Sequence, residues 1–95
     1  MAALTEKRRF PRVPCNDHLE FTVLAANGLL YQRIQSTGTV VDTSSGGLGL
    51  VTDIPLRPGY VLQWDDEHRK GNIYLAIVRW SRQQADCHRA GLELI

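Results

Sequence analysis

The sequence predicts a small all-β domain. Short runs of alternating apolar and polar residues recur along the chain, and turn-forming residues separate them at intervals of about 8–12 residues. No window of ten or more residues shows the apolar periodicity of a helix. At 95 residues the chain has the length of one domain with one modest core. These observations favour a small antiparallel barrel or sandwich.

The first 14 residues are predicted to form a flexible basic arm. Pro11 and Pro14 lack a backbone N–H, and they hold the residues before them extended. We therefore expect neither a strand nor a helix through this stretch. The predicted organisation is an arm over residues 1–14 and a β-domain over residues 15–95.

About six strands are predicted after the arm. Asn27-Gly28 predicts a hairpin turn because both positions tolerate positive φ, and Pro58-Gly59 predicts a turn later in the chain. Leu19, Phe21 and Val23 share one face of the first strand. The predicted strands cover residues 18–25, 29–34 (continued or resumed over 38–41), 47–52, 60–64, 72–81 and 87–95.

The charge is concentrated in the arm. Residues 1–12 hold four basic side chains and one acidic one, a net charge of +3, whereas the rest of the chain has a net charge of −2. A protein that binds nucleic-acid polymers usually spreads basic charge over a whole face, so this distribution favours a small anion. A barrel that binds single strands through aromatic side chains is the alternative, and the negative charge outside the arm counts against it.

The location expected from the sequence is the cytoplasm. No apolar run approaches the roughly 20 residues of a membrane span, and residues 1–12 lack the apolar region of a secretory signal. Cys15 and Cys87 are accordingly expected to stay reduced.

Three arginines of the arm are candidate ligand-binding residues: Arg8, Arg9 and Arg12. A guanidinium group makes paired hydrogen bonds to phosphate oxygens, bonds the acceptor edge of guanine and stacks on bases. A solvated basic tail is the alternative interpretation of the same run.

The second candidate motif is Asp42-x-Ser44-x-x-Gly47. The carboxylate of Asp42 can accept hydrogen bonds from the N–H groups of guanine, and the hydroxyl of Ser44 can donate to a phosphate or a base. Gly47 lacks a Cβ that would block close approach. A plain turn between two strands would use the same residue types.

Other chemistry is not predicted. Cys15-x-x-His18 and Cys87-His88 lack the paired spacing of a metal site, and the serines have no nucleophile-elbow sequence around them. We therefore expect no catalytic residue and no metal. Three aromatic residues at strand positions are predicted to lie in the core or the barrel wall: Trp64, Tyr74 and Trp80.

Taken together, the two motifs resemble those of PilZ domains, the bacterial receptor modules for cyclic diguanylate (c-di-GMP). Arg8-x-x-x-Arg12 matches the arm motif of that family, and Asp42-x-Ser44-x-x-Gly47 matches its barrel motif. Weaker similarities are Val78-x-Trp80 and Gly91-x-Glu93. The resemblance implies a six-stranded β-barrel whose arm closes over the ligand. It also implies a non-catalytic signalling receptor that needs no cofactor and relays its state to a partner protein.

Two features differ from many members of the family. The chain ends at Ile95 without the C-terminal helix that caps such barrels, so one barrel end is expected to be open, or covered by the arm or a second copy in a homodimer. Lys7 precedes the arm motif, and a cation there favours a stacked pair of ligands. The alternative function is a PilZ-like protein-interaction module that binds no nucleotide.

Overall fold

Six antiparallel strands close into a barrel in the order β1-β2-β3-β6-β5-β4. The computed structural model describes residues 13–27, 30–66 and 68–95, so residues 1–12 of the arm predicted over 1–14 lie outside the described part, whereas residues 13 and 14 belong to β1. The strands are β1 (Val13–Asn27), β2 (Leu30–Ser44), β3 (Gly47–Thr52), β4 (Val61–Asp65), β5 (Ile73–Gln84) and β6 (Cys87–Leu94). The predicted fold class is confirmed. The described ranges contain no helix, and hence none that could span a membrane.

β1 and β2 are longer than predicted. β1 begins at Val13 instead of residue 18, and it includes Pro14, which lies opposite Asp42. β4 pairs with β1 only over residues 22–24, so Pro14 lies in an edge segment of β1, where a proline is tolerated. β2 is one continuous strand across residues 35–37, because β1 runs unbroken along its side there.

The core fills the barrel interior, and the predicted apolar face of β1 points into it. Phe21 and Val23 are 4% and 1% exposed, and Leu19 packs against the core with part of its surface free. On β5 the buried residues are the small Ala76 and Val78. The remaining fully or nearly fully buried apolar residues are Ala25, Val40, Leu48, Leu50, Leu56, Leu62, Ala90 and Leu92.

Two β-bulges decide which side chains face outward. The register of β2 shifts between Val40 and Asp42, and that of β5 shifts between Val78 and Trp80. Residues two apart on a regular strand share a face. With one extra residue between them, Val40 faces the core opposite Leu50, whereas Asp42 faces outward opposite Gly49. The bulge in β5 turns Trp80 outward in the same way.

Candidate functional site

Asp42 lies on the outer wall of the barrel, directly over Gly49. A Cβ on Gly49 would stand 2.8 Å and 2.9 Å from the two carboxylate oxygens of Asp42, so only glycine leaves room for this position. Nη2 of Arg89, on β6, donates a hydrogen bond of 3.2 Å to Oδ2 of Asp42. The Asp42 side chain is only 16% exposed, and the Arg89 side chain 33%. The carboxylate is thus held in place and its charge is balanced.

Ser44 and Gly47 flank the tight turn between β2 and β3. The hydroxyl of Ser44 donates a 3.4 Å hydrogen bond to the carbonyl of Gly47. A Cβ on Gly47 would overlap the carbonyl oxygen of Leu92 on β6. Gly47 therefore has a role inside the barrel wall, since it allows the backbones of β3 and β6 to approach closely.

Trp80 lies beside this motif on the same outer wall. Its indole covers Gly91, where any Cβ would overlap the ring, and Gly91 pairs with Gly49 across β3 and β6. Trp80 as a whole residue remains 39% exposed, and the guanidinium carbon of Arg82 lies 5.5 Å from the ring centroid. The prediction that Trp80 lies in the core or the barrel wall is correct for the wall. Its ring also presents a flat aromatic surface to solvent.

These side chains form one group, which we call the outer-face cluster: Asp42, Arg89, Trp80 and Arg82. Two paired glycines, Gly49 and Gly91, let Asp42 and Trp80 lie flat against the barrel wall. The Nε atom of Arg89 is buried, and among the described residues it has no hydrogen-bond partner. The cluster thus combines an acceptor, several cationic donors and an aromatic face.

A second ion pair borders the cluster. Arg79 makes two hydrogen bonds to Glu93, of 3.0 Å from Nε and 2.9 Å from Nη2. The donated bonds lower the pKa of the Glu93 carboxyl below its ordinary value, and the positive charge of Arg79 acts in the same direction. Both side chains are more than half exposed, so this pair keeps its solvent contact.

The arginines predicted for the arm, Arg8, Arg9 and Arg12, lie outside the described residues. The structure does describe the point at which the arm joins the barrel. β1 begins at Val13, which is paired with Thr43 in the middle of the Asp42-x-Ser44 motif.

A separate cleft of about 630 Å³ opens between β1, β2 and β4. Its lining includes Glu20 and Asp65 together with the edge of Trp64, whose ring stacks on Tyr74 at 5.7 Å. None of the motif residues Asp42, Ser44 and Gly47 lines it. The cleft and the outer-face cluster are therefore different parts of the surface.

Solved structures with the same architecture are PilZ domains at low sequence identity. The PilZ domain of YcgR from Escherichia coli with c-di-GMP superposes with a TM-score of 0.61 at 13% identity, over 95% of this chain and 79% of that one. The barrel has a PilZ-like fold. Longer PilZ-containing chains also match at a TM-score of 0.56: YcgR from Escherichia coli in complex with c-di-GMP (12% identity, 95% of this chain, 38% of that one) and the K. pneumonia MrkH–c-di-GMP complex (16%, 95% and 45%).

Sequence comparison adds nothing to this PilZ-like assignment. No protein-family model matches the chain, and no curated protein matches it. The relationship is thus established at the level of the fold.

Sequence reasoning did not single out Arg89, which donates a hydrogen bond to Asp42. The weakly similar pairs Val78-x-Trp80 and Gly91-x-Glu93 mark the two strands that meet beside Asp42. The sequence alone does not reveal the register in which β2, β3 and β6 pair. Asp42 and β6 come together only because Gly49 pairs with both Asp42 and Gly91.

Proposed function

We propose that this protein is a non-catalytic receptor for cyclic diguanylate. The observation that carries the proposal is the position of Asp42-x-Ser44-x-x-Gly47 on the outer wall, where the chain leading to the arginine arm enters the barrel. An acceptor for guanine and a set of donors for phosphate then belong to one surface. The c-di-GMP complexes of YcgR and MrkH, which share the fold, support the same ligand class.

The outer-face cluster has the chemistry that a guanine nucleotide requires. The Asp42 carboxylate accepts from the N–H groups of the base, and the Ser44 hydroxyl donates to a phosphate or a base. Arg89 offsets the negative charge of Asp42, so a dianionic ligand meets little repulsion there.

The covalent link between arm and barrel is the strongest argument for a joint site. Val13 lies opposite Thr43, and consecutive Cα atoms are about 3.8 Å apart. Arg12 is therefore tethered within one residue of the barrel motif, and Arg8 within five residues, or at most roughly 18 Å of extended chain from Val13. Both can reach a ligand that rests against Asp42.

Trp80 and Arg82 extend the proposed site toward β5. An exposed indole beside a guanine acceptor suits base stacking, which every nucleobase can use. Arg82 above the ring adds a cation that can contact the ligand's phosphates.

The signalling mechanism that follows is ordering of the arm. The four basic side chains of residues 1–12 repel one another without ligand, and a dianion would neutralise several of them at once. Arm and ligand together would then form a new surface for a downstream protein. The output is a change of binding surface, and no bond of the ligand is broken.

Titration calorimetry with c-di-GMP tests the proposal. Arg12→Ala and Asp42→Ala each remove a charge-assisted hydrogen bond of about 1.5–3 kcal/mol, so affinity should fall roughly ten- to a hundredfold. Arg57→Ala and Asp53→Ala are the matched controls, because both residues are exposed in the loop between β3 and β4. Equal affinity of all four variants and the parent would rule out this site.

The Asp42–Arg89 ion pair also fits the alternative, a PilZ-like protein-interaction module that binds no nucleotide. In that case Asp42 serves the barrel wall alone. The same calorimetry separates the two functions: an intact parent protein that gives no heat with micromolar c-di-GMP supports the interaction module.

A further inference from the structure

The far half of β2 has a free edge. β1 pairs with β2 from Leu30 to Thr43, whereas β3 pairs with it only from Gly38 to Ser44. Among the described residues, no strand pairs with the β3-side edge of residues 30–37. We call this segment the β2 edge. It belongs to a hairpin that extends beyond the closed part of the barrel.

The ladder with β1 shows which backbone groups of the β2 edge remain unused. Asn27 and Leu30 flank a two-residue connection, so they form a hydrogen-bonded pair, and such pairs alternate along the hairpin. Arg33, opposite Leu24, lies in a non-hydrogen-bonded pair between two of these hydrogen-bonded pairs. Its N–H and C=O therefore point away from β1. Thr37 lies four residues after Arg33, so its N–H and C=O should also point away from β1. Its carbonyl does accept a 2.8 Å bond from Oγ1 of Thr52 on the β3 side.

The β2 edge is accessible and little protected. All side chains from Gln32 to Gln35 are exposed, including Ile34 at 41%. Proteins usually protect such edges with several charges, prolines or bulges. Over residues 30–37 Arg33 is the single charged residue, and there is no proline. The β2 edge thus presents a preformed template for another strand.

We propose that two copies of this chain join through the β2 edge as an antiparallel pair, with the two-fold axis at Gln32. Each copy carries the same preformed strand, so pairing needs no ordering of a flexible segment. Gln32 then faces the second copy's Gln32, whose amide can exchange hydrogen bonds with it. Arg33 exchanges backbone bonds with the second copy's Tyr31, and the exposed Ile34 lies opposite the second copy's Leu30.

The start of β2 and the position of β3 together favour this register. With the axis at Gln32, residues 30–34 of the two copies pair and end before Gly38, where β3 begins to pair with β2. An axis at Tyr31 would pair only residues 30–32 of the two strands. An axis at Arg33 would set two arginines directly opposite each other, which is unfavourable. Axes between two residues would break the alternation of the ladder.

The proposed dimer contact is remote from the ligand site. Arg33 and Asp42 are nine residues apart on β2, or about 30 Å along the strand. Dimer formation through the β2 edge can therefore be tested independently of c-di-GMP binding.

Sedimentation equilibrium on the full chain over a range of concentrations provides the first test. The weight-average mass of the parent should rise from that of one chain toward that of two. Arg33→Pro removes an N–H that only the second copy would use, so it should weaken association at least tenfold. Thr37→Pro is the matched control, since it removes an outward N–H that lies beyond the proposed contact. Circular dichroism checks that both variants keep the β-fold.

Disulfide trapping tests the register. In a Cys15→Ser, Cys87→Ser background, Gln32→Cys should form an inter-chain disulfide on mild oxidation, because directly opposed residues at non-hydrogen-bonded positions have Cα atoms about 4.5 Å apart. Arg33→Cys and Ile34→Cys should not cross-link. A parent that stays monomeric, an equal loss with both prolines, or trapping at 33 or 34 in place of 32 would each overturn the proposal. So would an edge that pairs only with the strand of another protein.

Discussion

At the scale of single residues, two glycines determine what the outer wall can display. Gly49 and Gly91 pair with each other, and each is covered by one large side chain from a neighbouring strand, Asp42 and Trp80 respectively. A Cβ at either position would occupy space that the side chain above it now fills. The glycines therefore contribute to the proposed site without offering a functional group of their own.

Gly49→Ala should lower the affinity for c-di-GMP by roughly tenfold. The new Cβ pushes the Asp42 carboxylate away from the wall and loosens its bond to Arg89, and such overpacking typically costs about 1–3 kcal/mol. Calorimetry and urea unfolding measure the two effects separately.

Gly71→Ala is the control for that loss of stability. Gly71 has a φ of 88° and open space around its Cα, so alanine there costs of order 1 kcal/mol through backbone strain alone. Its affinity should equal that of the parent. If Gly71→Ala loses as much affinity as Gly49→Ala, the effect of Gly49 is one of stability only.

Trp80→Ala should weaken c-di-GMP binding by about 1–3 kcal/mol, the usual range for loss of one base-stacking partner. Ile73→Ala is the matched control, because Ile73 is a large apolar residue of the same strand that is 54% exposed. Calorimetry compares the two variants. A Trp80→Ala protein that binds as tightly as Ile73→Ala would exclude stacking on this ring.

At the scale of the strand, β5 is the element in which the size of the apolar side chains agrees least with their burial. Its larger apolar residues Ile73 and Leu75 are 54% and 39% exposed, whereas the small Ala76 is fully buried. Beyond the bulge, Arg79 reaches across to Glu93 on β6 and joins the two strands on the outer face. β5 therefore contributes to the surface at least as much as to the core.

The Arg79–Glu93 pair should make a small contribution to the free energy of unfolding, and this contribution should be lost at low pH. The hydrogen bonds from Arg79 lower the pKa of Glu93 in the folded protein. That contribution is thus complete above the unfolded pKa of about 4.3, and it disappears as the pH falls through the lower folded value. Glu93→Gln should be less stable than the parent at pH 7, and the difference should vanish in strong acid.

Urea unfolding at a series of pH values measures this difference, with Glu20→Gln on β1 as the matched exposed control. A difference between parent and Glu93→Gln that stays constant down to pH 2 would contradict the assigned cause.

The strands themselves were largely predictable, because alternation and turn residues are local properties. β3 and β6 begin at the predicted residues, and Phe21 and Val23 face the core as expected. The lengths of β1 and β2 were not predictable, since a proline at position 14 is tolerated only because no strand pairs with the other side of β1 there. The outer-face cluster was hidden for the same reason: the bulges before Asp42 and Trp80 depend on pairing between distant strands.

At the scale of the whole molecule, β2 links two separate proposals. Its C-terminal end carries Asp42 and Ser44 beside the entry of the arm, and its N-terminal half forms the free β2 edge. Among the described residues, the N-terminal stretch of β1 and the part of β5 beyond Val78 also lack a strand on one side. One strand thus connects a ligand surface with a surface for a second copy.

Ligand binding should stabilise the whole barrel by mass action. At a free c-di-GMP concentration a hundred times the dissociation constant, the gain is about 2.7 kcal/mol, which raises the Tm of a domain of this size by roughly 10–20 °C. Arg12→Ala should lose most of this shift at the same concentration, whereas Arg33→Pro should keep it. Differential scanning calorimetry measures all three proteins. A shift that Arg33→Pro abolishes would mean that dimer and ligand are coupled.

The bulges at Val41 and Arg79 also decide where these two strands can change in length. Deleting either codon would place Asp42 next to Val40, or Trp80 next to Val78, and regular alternation would still direct Asp42 and Trp80 outward. Deleting a codon elsewhere in the paired part of either strand would turn the residues on one side of the deletion to the opposite face of the sheet, although the reading frame is intact. Single-residue length changes are therefore expected at the two bulges and in the loops.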